Sequence, residues 1–440
     1  MGCRQQVKGQ YDSSALATTG ARARDVCIVS AVRTPFGSLQ GSLASLSATQ
    51  LGALAIKGAL ERIKLDPEHV QEVFMGNVVS AGLGQAPARQ AALGAGLPLS
   101  VACTTINKVC SSGLKAVMLG ALSIQAGVND VVIAGGMESM SNIPYYIPQA
   151  RGGLRMGHKL LVDGMIKDGL WDAYHDMHMG ECAEQCAIEY GFSRAQQDDH
   201  AIESVHRATK AALAGITSQE VVPVEVPGRK GEPPTLVTAD EALAKMDPER
   251  LRILKPAFAK EHGTVTAGNA SPITDGAAAL ILMSNEKASM LGLPVLGHLR
   301  GMGDAAQDPR RFATSPALAI PKALAHAGLQ QDQVDFYEIN EAFSVVDLAN
   351  QQLLGLDSTR VNAHGGAVAL GHPVGASGAA ILVRLLNVLD HNKGRIGVAA
   401  ICNGGGGASA VVVQRTHATV QETRLELDDE GPCTTSTSRM

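Results

Sequence analysis

Residues 110–136, CSSGLKAVMLGALSIQAGVNDVVIAGG, decide the fold because they read as an amphipathic helix followed by a buried strand. Apolar residues recur at helical spacing in the first part, and VVIA is a short apolar run that ends in two glycines. Residues 375–405, GASGAAILVRLLNVLDHNKGRIGVAAICNGG, have the same order and nearly the same spacing. The sequence therefore predicts an internal duplication of two α/β halves, with a period far too long for a solenoid.

Strand-like and helix-like segments also alternate outside these two stretches. VCIVSAVR at 26–33 and VQEVFMGNVV at 70–79 have strand patterns, ATQLGALAIKGALERI at 48–63 has a helical one, and AAALILMS at 277–284 returns to buried strand. Such alternation indicates a largely parallel sheet that is covered by helices. The predicted class is α/β.

The pattern changes between about 141 and 268, where His, Met, Pro and charged residues become more frequent and strand signals fewer. We interpret this stretch as an insertion within the first half. The predicted organisation is a flexible tail at 1–24, an N-terminal domain at 25–293 that contains the insertion, a C-terminal domain at 294–415 and a flexible tail at 416–440.

Composition narrows the classes of function. The 440 residues are 45% hydrophobic and carry a formal charge of −5, so nothing in the overall charge favours a nucleic-acid partner. No apolar stretch approaches the roughly 20 residues that a membrane-spanning helix needs, which predicts a soluble protein. Eight scattered cysteines without a secretory leader favour reduced thiols inside a cell.

Cys110 and His372 are candidates for nucleophilic chemistry. Cys110 lies at a predicted helix start, where free N–H groups and the helix dipole lower a thiol pKa, although a single free cysteine is often a buried core residue. His372, in GHPVGASG, holds the matching place in the second half. If the halves pack about a pseudo-twofold axis, the pair is suited to covalent acyl transfer; otherwise His372 is a loop residue.

Cys402 and Asn340 extend the candidate site. Cys402 ends a buried strand, and the glycines that follow leave backbone N–H groups free to stabilise an oxyanion. Two thiols suggest either a redox pair or a nucleophile with a separate base, and the absence of a Cys-x-x-Cys motif weakens the redox alternative. Asn340, in YEINEAFSV, is suited to hold a water or donate to an enolate, or to cap a loop.

The motifs NKVCSSGLKAV, AGGMESMSN, NEAFS, GGAVALGHPVGASGA and CNGGGGASA, in order between about 25 and 415, resemble the thiolase family, and within it the acetyl-CoA C-acetyltransferases. The resemblance implies the thiolase fold: two duplicated α/β halves with mixed five-stranded sheets in a layered αβαβα arrangement, plus an inserted loop domain. It implies the reversible condensation of two acetyl-CoA molecules to acetoacetyl-CoA and CoA through an acetyl-cysteine. CoA thioesters are then substrates, and no separate cofactor is implied.

The same resemblance assigns roles to matching positions. Cys110 would be the acylated nucleophile and His372 the base that activates it. His372 and a water held by Asn340 would form one oxyanion hole, and the N–H groups of Cys110 and Gly404 the other. Cys402 would move the α-proton of the second acetyl-CoA.

The insertion would bind CoA through seven residues in three stretches, which are His178 and Met179 beside the pantetheine arm, Lys245, Asp247 and Arg250 at the nucleotide end, and Ala267 and Ser271 along the pantetheine. Phe312 and Phe343 are candidates for limiting the acyl pocket, or are core residues. The spacing in HMGECAEQC suggests a zinc site, but the resemblance places His178 beside pantetheine and so implies no metal. Val205 stands where some members of the family have a potassium-binding tyrosine, which argues against potassium activation unless this helix is misaligned, the alternative explanation.

Three functional alternatives remain at this point: a β-oxidation 3-ketoacyl-CoA thiolase, an acyl-CoA or lipid carrier on the same scaffold, and a redox-switch protein. The resemblance implies a homo-oligomer, either a dimer or a dimer of dimers, working in fatty-acid metabolism or supplying isoprenoid (mevalonate) precursors. The terminal Ser438-Arg439-Met440 resembles a peroxisomal address. Mitochondrial import through residues 1–24 and a cytoplasmic location are the alternatives.

Overall fold

The computed structural model describes residues 24–228, 232–245 and 247–416. The two tails predicted from the sequence, including Ser438-Arg439-Met440, lie almost wholly outside these ranges. Within them, the strands are β1 (Val26–Arg33), β2 (Gly37–Ser38), β3 (Glu72–Gly76), β4 (Ala102–Ile106), β5 (Val131–Ser139), β6 (Tyr145–Tyr146), β7 (Val162–Asp163), β8 (Trp171–Asp172), β9 (Met177–His178), β10 (Val224–Val226), β11 (Thr235–Val237), β12 (Thr274–Ser284), β13 (Gly297–Ala306), β14 (Phe336–Ile339), β15 (Ile396–Asn403) and β16 (Gly407–Arg415). The α-helices are α1 (Ala48–Ile63), α2 (Pro87–Gly94), α3 (Ser112–Gln125), α4 (Met179–Tyr190), α5 (Arg194–Leu213), α6 (Pro248–Arg252), α7 (Asn285–Met290), α8 (Pro316–Ala327), α9 (Ser344–Leu354), α10 (Ala367–Leu370) and α11 (Ser377–His391).

The two halves have the same sheet topology. In the first half the strand order is β4-β3-β5-β12-β1, with β3 parallel to β4 and β5 and with β12 antiparallel to both of its long neighbours. In the second half the order is β14-β15-β16-β13, with the same alternation of parallel and antiparallel pairs. The internal duplication read from the sequence is therefore present in four strands of each half: β3, β5, β12 and β1 correspond to β14, β15, β16 and β13.

The second sheet differs from the first at one edge. Where β4 lies in the first half, the described part of the second half has a single parallel bridge, between Tyr337 and Val361. The next residue, Asn362, has a φ of 47° and uses its side-chain amide in place of a backbone ladder, because Oδ1 accepts from Ile339 N at 2.9 Å and Nδ2 donates to Ile339 O at 2.9 Å. The expected fifth strand is thereby reduced to one bridge, and two residue pairs between β1 and β13 join the two sheets.

The two sheets and the helices that cover them form five layers, because each sheet packs apolar residues on both of its faces. Alternate residues of β1 face opposite sides: Cys27 and Val29 pack towards α1, whereas Val26 and Ile28 pack towards α3 and α11. Helices α1 and α2 cover the outer face of the first sheet, and α8 covers the outer face of the second. Helices α3 and α11 fill the layer between the sheets, as the αβαβα arrangement requires.

Glycines allow α3 and α11 to touch at their first turns. A Cβ on Gly113 would lie 2.8 Å from Ala379 N, and one on Gly378 would lie 2.5 Å from Leu114 N. Larger residues would separate the two helix starts, and with them Cys110 and His372, which precede the two helices. The pseudo-twofold contact expected from the sequence is therefore formed by two matching glycines.

The chain between β5 and β12 forms the insertion, whose described residues carry α4, α5 and α6 together with three short antiparallel strand pairs, β6–β7, β8–β9 and β10–β11. Met179 and Cys182 of α4 share an apolar cluster with Phe312, Phe343 and Cys402 of the second half. The insertion thus closes over the helix starts. Among the described residues, no helix combines the length and apolar character needed to cross a membrane.

Candidate active site

Cys110 lies immediately before Ser111, which occupies the N-cap position of α3. Val109 precedes it with a φ of 47°, a left-handed conformation that a β-branched residue rarely adopts. The turn places the thiol at the wall of a cavity rather than in the core. The core-thiol alternative for Cys110 is therefore not supported by its position.

The expectation of a lowered thiol pKa is wrong for the protein without substrate. Burial raises the pKa of Cys110 to about 11, although hydrogen bonds from the backbone N–H groups of Gly404 and of Cys110 itself act to lower it. Burial outweighs the helix start because a thiolate in apolar surroundings loses its hydration. Cys110 is a neutral thiol at rest and needs a base to become a nucleophile.

His372 is built to be that base. Its Nδ1 lies 2.6 Å from Ser377 Oγ, which donates its own proton to Pro373 O at 3.0 Å. Ser377 Oγ therefore accepts from Nδ1–H, and this bond assigns the remaining lone pair to Nε2. Nε2 is buried and has no hydrogen-bond partner among the described residues. Burial lowers the pKa of His372 to about 4, so the ring is neutral near pH 7.

Cys402 and Gly404 approach the same point from β15. Cys402 is fully buried, and its pKa is raised well above the usual value, first by burial and then by the nearby Cys110, because two thiolates so close together would repel each other. Gly404, two residues on, directs its N–H to the Cys110 sulfur. Two thiols and two backbone donors therefore meet where the ends of β15 and the start of α3 adjoin.

Asn340 follows β14 and is buried. Its backbone N–H donates to Ala400 O at 3.0 Å, but neither Oδ1 nor Nδ2 has a partner among the described residues. It lines a small cavity of about 20 Å³ that also touches Ser377 and Gly371, on either side of His372 in the chain. A cavity of that size accommodates one water, so a water-holding role fits the geometry.

A larger cavity of about 340 Å³ joins these groups to the insertion. Nine of the fourteen residues singled out in the sequence line it: Cys110, His178, Met179, Ala267, Ser271, Phe312, Phe343, His372 and Gly404. Asn340 and Cys402 do not line it: Asn340 lines the smaller cavity, and Cys402 is buried in one apolar cluster with the lining residues Met179, Phe312 and Phe343. The wall is mainly apolar, as is usual for a site that takes a small organic group.

His178 is held as a neutral ring. Its Nδ1 accepts from Gly180 N at 3.0 Å as the cap of α4, burial lowers its pKa, and Phe258 stacks on it with ring centroids 4.7 Å apart. A ring nitrogen used in this way is not free to bind zinc. Within the described ranges, the one group of side chains close enough to share an ion is elsewhere, at His200, Glu341 and Asp347.

The three residues expected at the nucleotide end do not line the cavity. Lys245 is exposed and pairs with Glu241 at 2.6 Å, and Asp247 caps α6 by accepting from Glu249 N at 3.0 Å. Arg250 is exposed on the same helix. That helix adjoins the cavity wall, because a Cβ on Gly268 would lie 2.7 Å from Leu251 Cγ. Contact of these residues with a nucleotide stays a prediction.

Several lining residues were missed in the sequence. Phe258, Met140, Leu170 and Val374 all face the cavity, and none belongs to a pattern distinct from that of a core residue. Ser377 could have been predicted from the sequence, because it is a hydroxyl residue at a predicted helix start only five positions after His372, which is close enough to contact the His372 ring. Val205 lies on α5, where it is buried in the core between the sheets.

This fold, with two thiols and a histidine at its active site, defines a class of protein. Residues 26–286 match the family model of the thiolase N-terminal domain, and residues 293–415 match that of the thiolase C-terminal domain. The chain belongs to the thiolase family.

Individual relatives narrow the comparison. The chain is 62% identical over 391 residues to acetyl-CoA acetyltransferase 2 of Arabidopsis thaliana, covering 89% of this chain and 97% of that one. It is 54% identical over 389 residues to the cytosolic acetyl-CoA acetyltransferase ERG10 of Gibberella zeae, covering 88% and 98%. It is also similar to the Acat5 thiolase of Ascaris suum, whose crystal structure contains coenzyme A, with a TM-score of 0.84, 45% identity and coverage of 89% and 100%.

Proposed function

We propose that the chain is an acetyl-CoA C-acetyltransferase, which condenses two acetyl-CoA molecules to acetoacetyl-CoA and CoA and catalyses the reverse cleavage. The observation that carries the proposal is the convergence of Cys110, His372 and Gly404 on one apolar cavity, with Cys402 directly behind. Relatives more than half identical over nearly their whole length are named for the same activity.

The resting protonation states suggest a closed proton cycle. The thiol of Cys110 gives its proton to His372 Nε2 and attacks the thioester carbon of acetyl-CoA, while the N–H groups of Cys110 and Gly404 receive the oxyanion. The C–S bond to CoA breaks, and the buried thiol of Cys402 protonates the leaving CoA thiolate. Acetyl-Cys110, imidazolium and the thiolate of Cys402 remain.

The condensation step uses the charged groups that the acetylation step leaves behind. The Cys402 thiolate removes an α-proton from a second acetyl-CoA, and the enolate oxygen is held by His372 and a water on Asn340. The new C–C bond forms at the acetyl carbon, the bond to Cys110 breaks, and the imidazolium of His372 returns its proton to Cys110. Each group ends in its starting state, so the cycle consumes no further reactant.

The shape of the cavity supports a short acyl group. Phe343 packs edge-on against both Phe312 and Phe258, with ring centroids 6.4 and 6.3 Å apart. Three rings locked in this way leave little freedom for a long chain to displace them. This favours acetoacetyl-CoA over the longer substrates of a β-oxidation thiolase.

A non-catalytic carrier would not need the catalytic set. A carrier requires the cavity but not a base whose lone pair is fixed by Ser377 or a second buried thiol. A redox switch would need the two thiols but not His372 or the lining from the insertion. Each alternative therefore leaves some of these residues unexplained, whereas acetyl transfer uses all of them.

A rate comparison tests the proposal. Cleavage of acetoacetyl-CoA by CoA should be faster than cleavage of longer 3-ketoacyl-CoA, and Cys110→Ala should abolish both. A preference for the longer substrates would support the β-oxidation alternative, and no turnover by the wild type would support a carrier. Unchanged turnover by Cys110→Ala would contradict the mechanism.

Assembly and location are part of the proposal. A dimer, or a dimer of dimers, is supported by β4, which stands at the edge of the first sheet with Ala102 and Thr104 exposed and is suited to pairing with a second copy. Light scattering tests this. One relative is named as cytosolic, which favours the cytoplasmic alternative. A fluorescent fusion of residues 416–440 would be peroxisomal if Ser438-Arg439-Met440 is an address, and diffuse if it is not.

A further inference from the structure

The turn that carries Cys110 is strained and has to be held in place. Val109 has a φ of 47°, and conformations of this kind persist where the surrounding structure fixes them. Two local bonds contribute: Val109 N donates to Asn107 Oδ1 at 3.0 Å, and Ser112 N donates to Val109 O at 2.9 Å. Both bonds lie within the first half, so they do not fix the turn relative to Cys402.

Lys108 reaches from this turn to the second half. Its Nζ donates to Asp304 on β13, to Ser409 Oγ on β16 at 2.8 Å and to Ala408 O at 3.1 Å. Ser409 Oγ in turn donates to Asp304 Oδ1 at 2.7 Å, which closes the network. Only 25% of the Lys108 side chain is exposed. Three hydrogen bonds fix the position of the Lys108 ammonium, whereas a single ion pair on the surface would leave it free to move.

Ser111 makes the corresponding contact on the other side of Cys110. Its Oγ lies 2.8 Å from Asn403 Oδ1 and 3.1 Å from Ile401 O. Asn403 and Ile401 are the neighbours of Cys402 in the chain. The two residues that flank Val109 and Cys110 are therefore attached to the strands that carry the second thiol and its neighbours.

We propose that Lys108, together with Asp304, is a positioning pair that clamps the Cys110 turn to the second half and so sets the placement of Cys110 relative to Cys402. The inference rests on the proposed function, because the placement matters only if both thiols act on one substrate. Neither residue lines the cavity, so neither touches substrate. Their effect should appear in the chemical steps rather than in the binding of CoA.

Lys108→Met tests the pair, with Lys115→Met as the matched control. Lys115 Nζ contacts the same carboxylate, Asp304 Oδ2, at 2.6 Å, but it projects from α3 and not from the strained turn. Lys108→Met should lower kcat for acetoacetyl-CoA cleavage at least tenfold with KM changed less than twofold. It should also alter the rate at which iodoacetamide alkylates Cys110. Lys115→Met should stay within twofold of the wild type in both measurements.

Asp304→Asn keeps the proposal testable if Lys108→Met folds poorly. It should reproduce the fall in kcat, and the double variant should lose little more than either single variant, because the two residues act as one unit. Wild-type kcat retained by Lys108→Met, or equal losses in Lys108→Met and Lys115→Met, would overturn the inference. An inactive wild type would instead count against the proposed function, so the two failures are distinguishable.

Discussion

The hydrogen bond from His372 to Ser377 tests the assignment of the base. In Ser377→Ala the buried Nδ1–H loses the one partner that it has among the described residues, the oxygen at 2.6 Å. A buried donor left unpaired costs about 1–3 kcal/mol. The ring avoids that cost by moving its proton to Nε2, which turns the base into a donor. In both cases the neutral ring with its lone pair on Nε2 becomes less populated. Since 1.36 kcal/mol corresponds to a tenfold change in rate, a cost of about 1–3 kcal/mol should lower the rate by about 5- to 160-fold.

The assay is the rate of acetyl transfer to Cys110 in a single turnover, followed by rapid quench and mass spectrometry. Ser377→Thr keeps a hydroxyl at the same place and serves as the control, with a rate within a few-fold of the wild type. Melting temperatures of both variants report whether the start of α11 is intact. Acetylation of Cys110 by Ser377→Ala at the wild-type rate would refute the idea that this bond fixes the lone pair on Nε2.

Further predictions concern the second thiol, pH and chain length. Cys402→Ala should still acquire acetyl on Cys110 but turn over about 100- to 10,000-fold more slowly, the usual effect of losing a general acid or base, as a steady-state assay of condensation would show. Burial lowers the pKa of His364 to about 4, so its stabilising contribution is present above its unfolded pKa of about 6.5 and is lost as pH falls towards 4. His364→Gln should therefore lose about 2 kcal/mol less stability than the wild type between pH 7 and pH 5, seen as a smaller drop in melting temperature; equal drops would contradict this. Phe312→Ala should raise kcat/KM for longer 3-ketoacyl-CoA relative to acetoacetyl-CoA by about tenfold per added methylene, and an unchanged ratio would show that this ring does not limit the pocket.

Sequence reasoning was effective where local pattern and chemistry coincide. The alternation of strands and helices, and the matching positions of Cys110 and His372 before two similar helices, predicted the duplication and the contact between the halves. Such features follow from periodicity and from small residues at helix starts, which act over a few residues. The fifth strand of the second sheet failed to form because one side chain, Asn362, replaced the ladder.

Features that depend on distant segments were not predictable in this way. The pKa of Cys110 was expected to be low from its helix start, but it is raised by burial, and the residues that pack against Cys110, such as Val79 and Val374, come from distant parts of the chain. The contact of Lys108 with Asp304 joins residues that are 196 positions apart. Phe258 stacks on His178 only because the insertion folds back on itself. In each case the sequence shows which residue is present, but only the fold determines which distant residues it contacts.

Mass spectrometry of the protein after brief exposure to acetyl-CoA tests the central claim most directly. We predict that one acetyl group is found on the peptide that contains Cys110, that added CoA removes it, and that Cys110→Ala carries none. Acetylation of Cys402 in place of Cys110, or no acetylation of a preparation that turns over acetoacetyl-CoA, would contradict the account.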